Sequence, residues 1–380
     1  MRRTIYTAEH ESFREAFRAF LDREAVPNVE KWEQAGTPDR DFIVKAAENG
    51  YLGFEFDPRY GGLGIDDFRY NAVMTEEVVA SGMAGDTFSM QNDIIVPYFR
   101  DFATDEQRDR WLPDFTSGRA VTALGMTEPG AGSDLAGITT SGRLDGDHLV
   151  INGQKTFITS GATCDLAIVL VRTGERNGRG TTFVVVEHGT PGFERGRAMH
   201  KIGRKAQDTA ELFFTDCRVP LVNIVGEPGR GLSTAIRNLP RERLSIALSG
   251  VASARHAIDL ALQHTRDREA FGARLADLQA VRIALAEMHT DTLVLQSYVD
   301  RCVEALNQGD LSADEAAGAK YQATELQWTV LDRVLQLFGG YGYMEEYPIA
   351  RMWRDARIQR IYGGANEVMK DLVGRTLVGS

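Results

Sequence analysis

The spacing of apolar residues changes twice along this chain, and those two changes limit the folds it can adopt. Over the first 120 or so of its 380 residues, apolar side chains recur at helical intervals, as at Phe13, Phe17 and Leu21. Short β-rich runs begin near residue 121, and helical spacing returns from about residue 233. We therefore predict an α+β multi-domain protein with a helical domain over 1–120, a β domain over 121–232 and a helical bundle over 233–380.

The middle region is predicted to form one sheet. Its runs of β-branched and aromatic residues are separated by Gly, Asp and Asn. They cover 121–126, 148–152, 155–159, 166–173, 181–187 and 211–219. Strands spaced this closely, with no helical pattern between them, indicate an antiparallel β-barrel or sandwich.

The last third is predicted to be a packed bundle of helices. One helix carries apolar residues alternately three and four positions apart, which is typical of a bundle seam. These residues are Leu278, Val281, Leu285, Met288, Thr292, Leu295, Val299 and Cys302. Ser312 and Glu315 have the spacing of a capping box that opens the next helix, and Gly339-Gly340 is expected to end it.

Composition excludes several classes of protein. The net charge of −11 argues against nucleic-acid binding, and no run of about 18 apolar residues suggests a membrane span. Cys164, Cys217 and Cys302 are far apart, and the seven histidines form no ligand pair, so we expect neither a disulfide framework nor a metal site. The first residues lack the apolar core of a signal peptide, which favours a cytoplasmic location.

A glycine-rich segment, 126–134, directly follows the first predicted strand. Gly132 can allow close approach of a ligand to the backbone, and Thr127 and Ser133 supply hydroxyl donors. The segment has neither the Gly-Lys-Ser/Thr of a Walker loop nor the βαβ context of a Rossmann fingerprint. Taken alone, it fits either a ligand-binding loop or an ordinary turn.

Four segments in the same order resemble the acyl-CoA dehydrogenase family. Segment 126–134 is similar to the family's flavin-binding loop, and 152–161 to its second β-domain motif. Segment 268–272, with Gln279, resembles the bundle motif that reaches the FAD of a neighbouring subunit. The C-terminal signature is matched by 336–340, 347–348, 354–355 and 361–367. Together they identify the chain as similar to members of this family, whose C-terminal domain is a four-helix bundle. Segments 239–244 and 205–214 resemble the long-chain subgroup in particular.

The resemblance implies FAD as cofactor and assigns residues to it. The candidate FAD-binding residues are Leu124, Met126, Thr127, Gly132, Ser133, Phe157, Ile158, Thr159, Arg268, Phe271, Gln279, Gln336, Leu337, Phe338, Gly339, Gly340, Ala365, Asn366 and Glu367. The candidate substrate-binding residues are Ser133, Ser233, Pro240, Arg243, Gly363 and Gly364. Electron-transfer flavoprotein as electron acceptor and a homotetramer are also implied.

The catalytic base departs from the commonest family pattern. Many members carry it as the Glu of a Tyr-Glu-Gly-Thr motif, but this chain has Gly363 there. Long-chain and isovaleryl enzymes place the base on a bundle helix, and the register from Arg268 puts Glu242 at that position. The Gly363 amide would still donate to the thioester oxygen. The alternative is that Pro240 begins a helix and Glu242 is a first-turn glutamate in a surface ion pair.

The implied reaction is α-proton abstraction by Glu242 with β-hydride transfer to flavin N5, giving a trans-2-enoyl-CoA. Medium-to-long-chain fatty acyl-CoA is the favoured substrate, and branched-chain or carrier-protein-bound acyl groups are alternatives. A flavin oxidase or monooxygenase on the same scaffold and a catalytically silent acyl-CoA-binding protein remain open. Oxygen uptake without an added acceptor would distinguish an oxidase or monooxygenase from a dehydrogenase. Failure of acyl-CoA to bleach the flavin would indicate the catalytically silent protein.

Overall fold

The computed structural model describes residues 3–83, 87–174, 180–270 and 272–379, and its N-terminal part is helical as predicted. The helices are α1 (Ala8–Glu24), α2 (Val29–Ala35), α3 (Arg40–Glu48), α4 (Phe68–Ala80), α5 (Val96–Phe102) and α6 (Asp105–Thr116), and a π-helical segment (Ser89–Ile95) precedes α5. Phe17 and Leu21, one turn apart on α1, are buried in a core with Trp32 and Phe42. Burial of these large side chains supplies the main driving force for packing the helices together.

The middle part is an eight-stranded sheet. Its strands are β1 (Thr122–Gly125), β2 (Ser141–Asp145), β3 (His148–Thr159), β4 (Leu166–Arg172), β5 (Thr181–Glu187), β6 (Phe193–Arg195), β7 (Thr209–Pro220) and β8 (Ile224–Val225), in the order β6-β7-β3-β2-β4-β5-β8 with β1 paired to β4. The pairing is mainly antiparallel, as predicted, but β1 and β2 each pair parallel with β4. Parallel pairing is possible because a long connection separates these strands in sequence.

Strand β4 shows how the sheet joins the N-terminal helices. Successive residues of a strand point to opposite faces. Leu166, Ile168 and Leu170 pack in a core with aromatic residues of α5 and α6, whereas Ala167 and Val169 pack in the core of the β domain. Both faces are therefore buried, which explains why the strand is a continuous apolar run.

The C-terminal part is built on three long helices. Its elements are α7 (Gly231–Asp267), the short strands β9 (Glu269–Ala270) and β10 (Ala273–Arg274), α8 (Gln279–Gln308), α9 (Ala313–Phe338), α10 (Pro348–Ala356) and α11 (Asn366–Val378). The predicted seam of α8 is confirmed, since Met288, Val299 and Cys302 are buried. Ser312 and Glu315 form the predicted capping box, and α9 ends at Gly339, whose φ of +58° suits a residue without Cβ.

Helix α7 also packs on the N-terminal domain. Phe68 and Ala72 of α4 share a core with Leu244 and Leu248 of α7. This contact covers the segment of α7 that contains the predicted base. Within the described ranges, no helix is long and apolar enough to cross a membrane.

Candidate active site

Glu242 lies in the interior of α7, in its fourth turn. The alternative in which Pro240 begins the helix is wrong, because α7 starts at Gly231 and Pro240 lies inside it. Proline lacks a backbone N–H and leaves one helical hydrogen bond unmade. Glu242 is 5% exposed, so it is neither a first-turn residue nor a surface charge.

The arginines beside Glu242 do not pair with it. Arg241 forms a buried ion pair with Glu55, which also accepts a hydrogen bond from Arg100 at 2.6 Å. Arg243 is 7% exposed, and within the residues described its Nε has no hydrogen-bond partner. In the same ranges Glu242 itself has no salt bridge, so the surface ion-pair alternative is wrong.

Burial raises the pKa of Glu242 from 4.5 to about 7. The Tyr98 hydroxyl opposes part of this effect by donating to Glu242 Oε1 at 3.4 Å, and the positive charge of Arg243 also lowers the pKa. Tyr98 is completely buried, and its ring packs edge-on against Phe183 at 5.1 Å. A carboxyl group with a pKa near neutrality is suited to accept a proton from carbon.

Gly363 occupies the commoner base position in a conformation that disfavours a side chain. Its φ is +63°, and a Cβ built on it would lie 2.4 Å from Ile246 Cδ1. Ile246 is one turn after Glu242 on α7, so the two side chains lie on the same face of this helix. A side chain at position 363 would therefore be strained and would displace Ile246.

Lys320 of α9 fixes this loop and was missed by the sequence analysis. Its side chain is fully buried, and its Nζ donates to the carbonyl oxygen of Gly364 at 2.8 Å and to Asn366 Oδ1 at 2.9 Å. Burial lowers the pKa of Lys320 to about 8. The amide of Asn366 also bonds to Thr324 and Glu325, so its side chain anchors the loop to α9. The available signal was a lysine among alanines on the buried face of a predicted helix.

A second surface of the candidate site lies on β3. Phe157 has a φ of +59° and is 68% exposed. The register of β3 against β7 shifts between Lys155 and Ile158, and such a bulge re-aims side chains. Phe157 therefore points outward, whereas the side chain of Ile158 is buried in the β core. Only the backbone of Ile158 is then available to contact a cofactor. An unpaired aromatic ring in a strained conformation is typical of a functional surface.

The glycine-rich segment completes that surface and is held by a buried ion pair. Lys155 Nζ lies 2.7 Å from Glu128 Oε1 and donates to the carbonyl oxygen of Met126 at 3.1 Å. The ion pair and backbone donors from Thr139 and Thr140 lower the pKa of Glu128 to about 2, although burial alone would raise it. The sequence analysis did not identify this pair.

The cofactor candidates of the β domain differ in exposure. Gly132 and Ser133 are exposed on the loop, whereas Leu124, Met126, Thr127 and Thr159 are half-buried. Together, these apolar side chains and hydroxyl groups and the exposed Phe157 ring form a surface suited to binding a planar heteroaromatic ring.

Five of the bundle candidates for the cofactor line one open cleft. The cleft is about 440 Å³ and contains Arg268, Leu337, Phe338, Gly339 and Gly340. The guanidinium of Arg268 lies 5.8 Å from the centre of the Tyr341 ring and has no carboxylate partner in the described part of the chain. An unpaired arginine beside glycines suits a phosphate-bearing ligand.

The remaining candidates lie elsewhere. Gln279 and Gln336 are exposed near the ends of α8 and α9, and Phe271 is outside the described residues. Ser233 is exposed in the first turn of α7, Pro240 is half-buried, and Ala365 and Glu367 flank the buried Asn366.

Comparison with known proteins identifies the family. The sequence matches the acyl-CoA dehydrogenase N-terminal domain over residues 7–119, the middle domain over 123–217 and the C-terminal domain over 229–378. The chain belongs to the acyl-CoA dehydrogenase family. It is 41% identical to the mitochondrial long-chain specific acyl-CoA dehydrogenase of Rattus norvegicus over 99% of this chain and 88% of that protein.

Solved structures agree with this assignment. An acyl-CoA dehydrogenase from Geobacillus kaustophilus has a TM-score of 0.96 and 44% identity, with 98% of each chain covered. A structure described as an electron transferring flavoprotein of Acidaminococcus fermentans has a TM-score of 0.94, 32% identity and complete coverage of both chains. A glutaryl-CoA dehydrogenase from Mycobacterium smegmatis in complex with FADH2 has a TM-score of 0.92 and 25% identity, covering 99% of this chain and 96% of that one.

Membership in the acyl-CoA dehydrogenase family agrees with the β-domain surface around Phe157 and with the cleft beside Arg268. The chain is an FAD-dependent oxidoreductase that acts on the CH–CH group of an acyl-CoA thioester. The aromatic and hydroxyl surface of the β domain fits the flavin ring, and the cleft beside Arg268 fits the phosphate and adenylate part.

Proposed function

We propose that Glu242 is the base that removes the α-proton of a medium-to-long-chain fatty acyl-CoA, giving the trans-2-enoyl-CoA. The observation that carries this proposal is a buried carboxyl group that forms no salt bridge within the described residues and has a pKa of about 7. Such a group is ionised in a substantial fraction of molecules at neutral pH. It is also poorly solvated, which makes it a stronger base than an exposed glutamate.

The loop that contains Gly363 would stabilise the negative charge that develops on the thioester oxygen. The Gly363 N–H would donate to the thioester oxygen, where negative charge develops as the α-proton leaves. One preorganised donor of this kind is worth about 3 kcal/mol. Lys320 holds the adjoining carbonyl of Gly364, which keeps the donor from rotating away. FAD, when bound, supplies the acceptor for the β-hydride.

We assign binding of FAD to the residues of the two surfaces. Thr127, Phe157 and Thr159 would contact the flavin ring, and Arg268 would meet the pyrophosphate. Gln279, Gln336 and the cleft formed by Leu337–Gly340 would hold the adenylate half, as in the family motif that completes a neighbouring subunit's site. Ser133, Ser233, Arg243 and Gly364 would contact the substrate.

A homotetramer, electron-transfer flavoprotein as oxidant and a cytoplasmic location belong to the same proposal. The α8 surface exposes Ile283 and Val294, which are 51% and 70% exposed in the single chain. Apolar residues exposed in this way are suited to contacts between subunits. The division into domains at residues 120 and 232 also stays a prediction.

The test is reduction of the flavin by acyl-CoA without oxygen. In Glu242→Gln, we expect FAD and acyl-CoA to bind while flavin bleaching slows at least a thousandfold, because the amide cannot accept the proton. Glu106→Gln on α6 is the matched control, since Glu106 is exposed and should leave the rate unchanged. Near-normal bleaching in Glu242→Gln would remove Glu242 from the mechanism. Peroxide formation by the unmodified protein without an added acceptor would identify an oxidase instead.

A further inference from the structure

A cavity lies between the N-terminal helices and the bundle, beyond the candidate base. It is about 100 Å³ and is bounded by α4, the π-helical segment, α7 and α10. Its apolar wall includes Met74, Val78, Phe88 and Met352. Ligand sites are frequent at domain interfaces and combine apolar walls with a few convergent polar groups.

Three buried amide oxygens line this one cavity. Among residues 3–83, 87–174, 180–270 and 272–379, Asn71 Oδ1, Gln327 Oε1 and Gln359 Oε1 have no hydrogen-bond partner. Each of these three residues is 2% exposed. A buried acceptor without a donor is unfavourable, so three in one cavity indicate an occupant that donates hydrogen bonds.

The neighbouring contacts fix which atom of the Asn71 amide faces the cavity. Its Nδ2 donates to Asp93 at 2.7 Å and to Glu55 at 3.3 Å, which leaves the oxygen free. The Nε2 of Gln359 donates to Ser249 Oγ at 3.2 Å. Burial lowers the pKa of His256, which also lines the cavity together with the charged residues Asp93, Arg204, Arg351 and Asp355.

Helix α7 connects the cavity with the proposed reaction centre. Glu242, Ile246 and Ser249 follow one another at one-turn spacing, and Ser249 lines the cavity. At 1.5 Å per residue, Ser249 lies about 10 Å and His256 about 21 Å beyond Glu242 along the helix. If the thioester is held at Gly363, its acyl tail can extend along this face of α7. Carbons far from the reacting bond would then lie against the free amide oxygens of the cavity.

We propose that this cavity binds the tail of an acyl-CoA that carries a hydroxyl group several carbons beyond the reacting bond. The hydroxyl hydrogen would be accepted by Gln327, Gln359 or Asn71, and the apolar wall would cover the hydrocarbon. This inference rests on the proposed function, because it takes Glu242 and Gly363 as the position of the thioester end.

The experiment compares pairs of acyl-CoA substrates with equal carbon number, one with a terminal hydroxyl and one without. Anaerobic flavin bleaching by the holoenzyme is measured over graded chain lengths, and rate and affinity are obtained for each compound. At one chain length we expect the hydroxylated substrate to be preferred at least tenfold. Without its hydroxyl, the tail leaves a buried acceptor unpaired.

Variants locate the source of the preference. Gln327→Leu and Gln359→Leu should each reduce the preference several-fold by weakening binding of the hydroxylated compound while sparing the unsubstituted one. Gln322→Leu, on the exposed face of the same helix α9 as Gln327, is the control and should keep the full preference. Two variants are used so that a folding defect in one does not decide the result.

Other outcomes separate the two proposals. Equal rates for both members of every pair, with the unsubstituted acyl-CoA still bleaching the flavin, would overturn the hydroxyl site and leave the proposed function intact. Preference for a terminal carboxylate, which Arg351 at the cavity edge could attract, would overturn it as well. No bleaching by any acyl-CoA would contradict the proposed function itself.

Discussion

Replacing Tyr98 by Phe tests the electrostatic account of Glu242. The hydroxyl of Tyr98 lies 3.4 Å from the carboxylate, and its hydrogen bond favours the ionised form. Hydrogen bonds to charged groups are worth about 1.5–3 kcal/mol, and the long distance places this one at the lower end. Because about 1.4 kcal/mol corresponds to one pKa unit, Tyr98→Phe should raise the pKa of Glu242 by about one unit.

The assay is the pH dependence of anaerobic flavin reduction at low acyl-CoA concentration, which reports the pKa of the free enzyme. The base must be ionised, so the rate should rise with pH through about 7 in the unmodified protein and through about 8 in Tyr98→Phe. At high pH the two rates should converge, because the phenyl ring keeps its contact with Phe183. A midpoint that stays in place or moves to lower pH would refute this account of the Tyr98 hydrogen bond.

Three further predictions follow from the structure. Above pH 8, Glu242→Gln should be more stable to urea than the unmodified protein by about 3 kcal/mol. The reason is that the pKa of Glu242 is raised from 4.5 to about 7 in the folded protein, so its ionisation opposes folding as pH rises. Equal stability of the two proteins would contradict this. Arg268→Gln should lose FAD at least tenfold more readily, measured by the fluorescence of released flavin, while Arg266→Gln serves as the control. Lys320→Met should slow flavin reduction roughly ten- to hundredfold with little change in FAD content, and an unchanged rate would show that the Gly364 anchor is dispensable.

The sequence predicted the order of the domains because the apolar period changes from helical to strand-like and back to helical. Helix α8 is the clearest case, since its seam residues are spaced for one buried face and are buried. The start of α7 was harder to predict because Pro240 resembles a first-turn residue. In the structure, packing against α4 offsets the hydrogen bond lost at this proline.

The position of Glu242 was predictable from motif register, but its burial was not. Burial depends on other elements packing over α7, and these include residues more than one hundred positions away, such as Tyr98 of α5. Phe157 shows the same limit, because its exposure arises from a bulge against β7. Lys320 and the pair of Lys155 with Glu128 resemble surface charges in sequence, and only tertiary contacts show that they hold loops.

The central claim is that a carboxylate of α7 and the flavin lie on opposite sides of the bond to be oxidised. A crystal structure of the protein with FAD and an unreactive acyl-CoA analogue tests it most directly. We expect a Glu242 oxygen within about 3–3.5 Å of the α-carbon, with the flavin ring on the far face of the acyl chain. A Glu242 side chain turned away from the ligand, with no other acidic group beside the α-carbon, would contradict the claim.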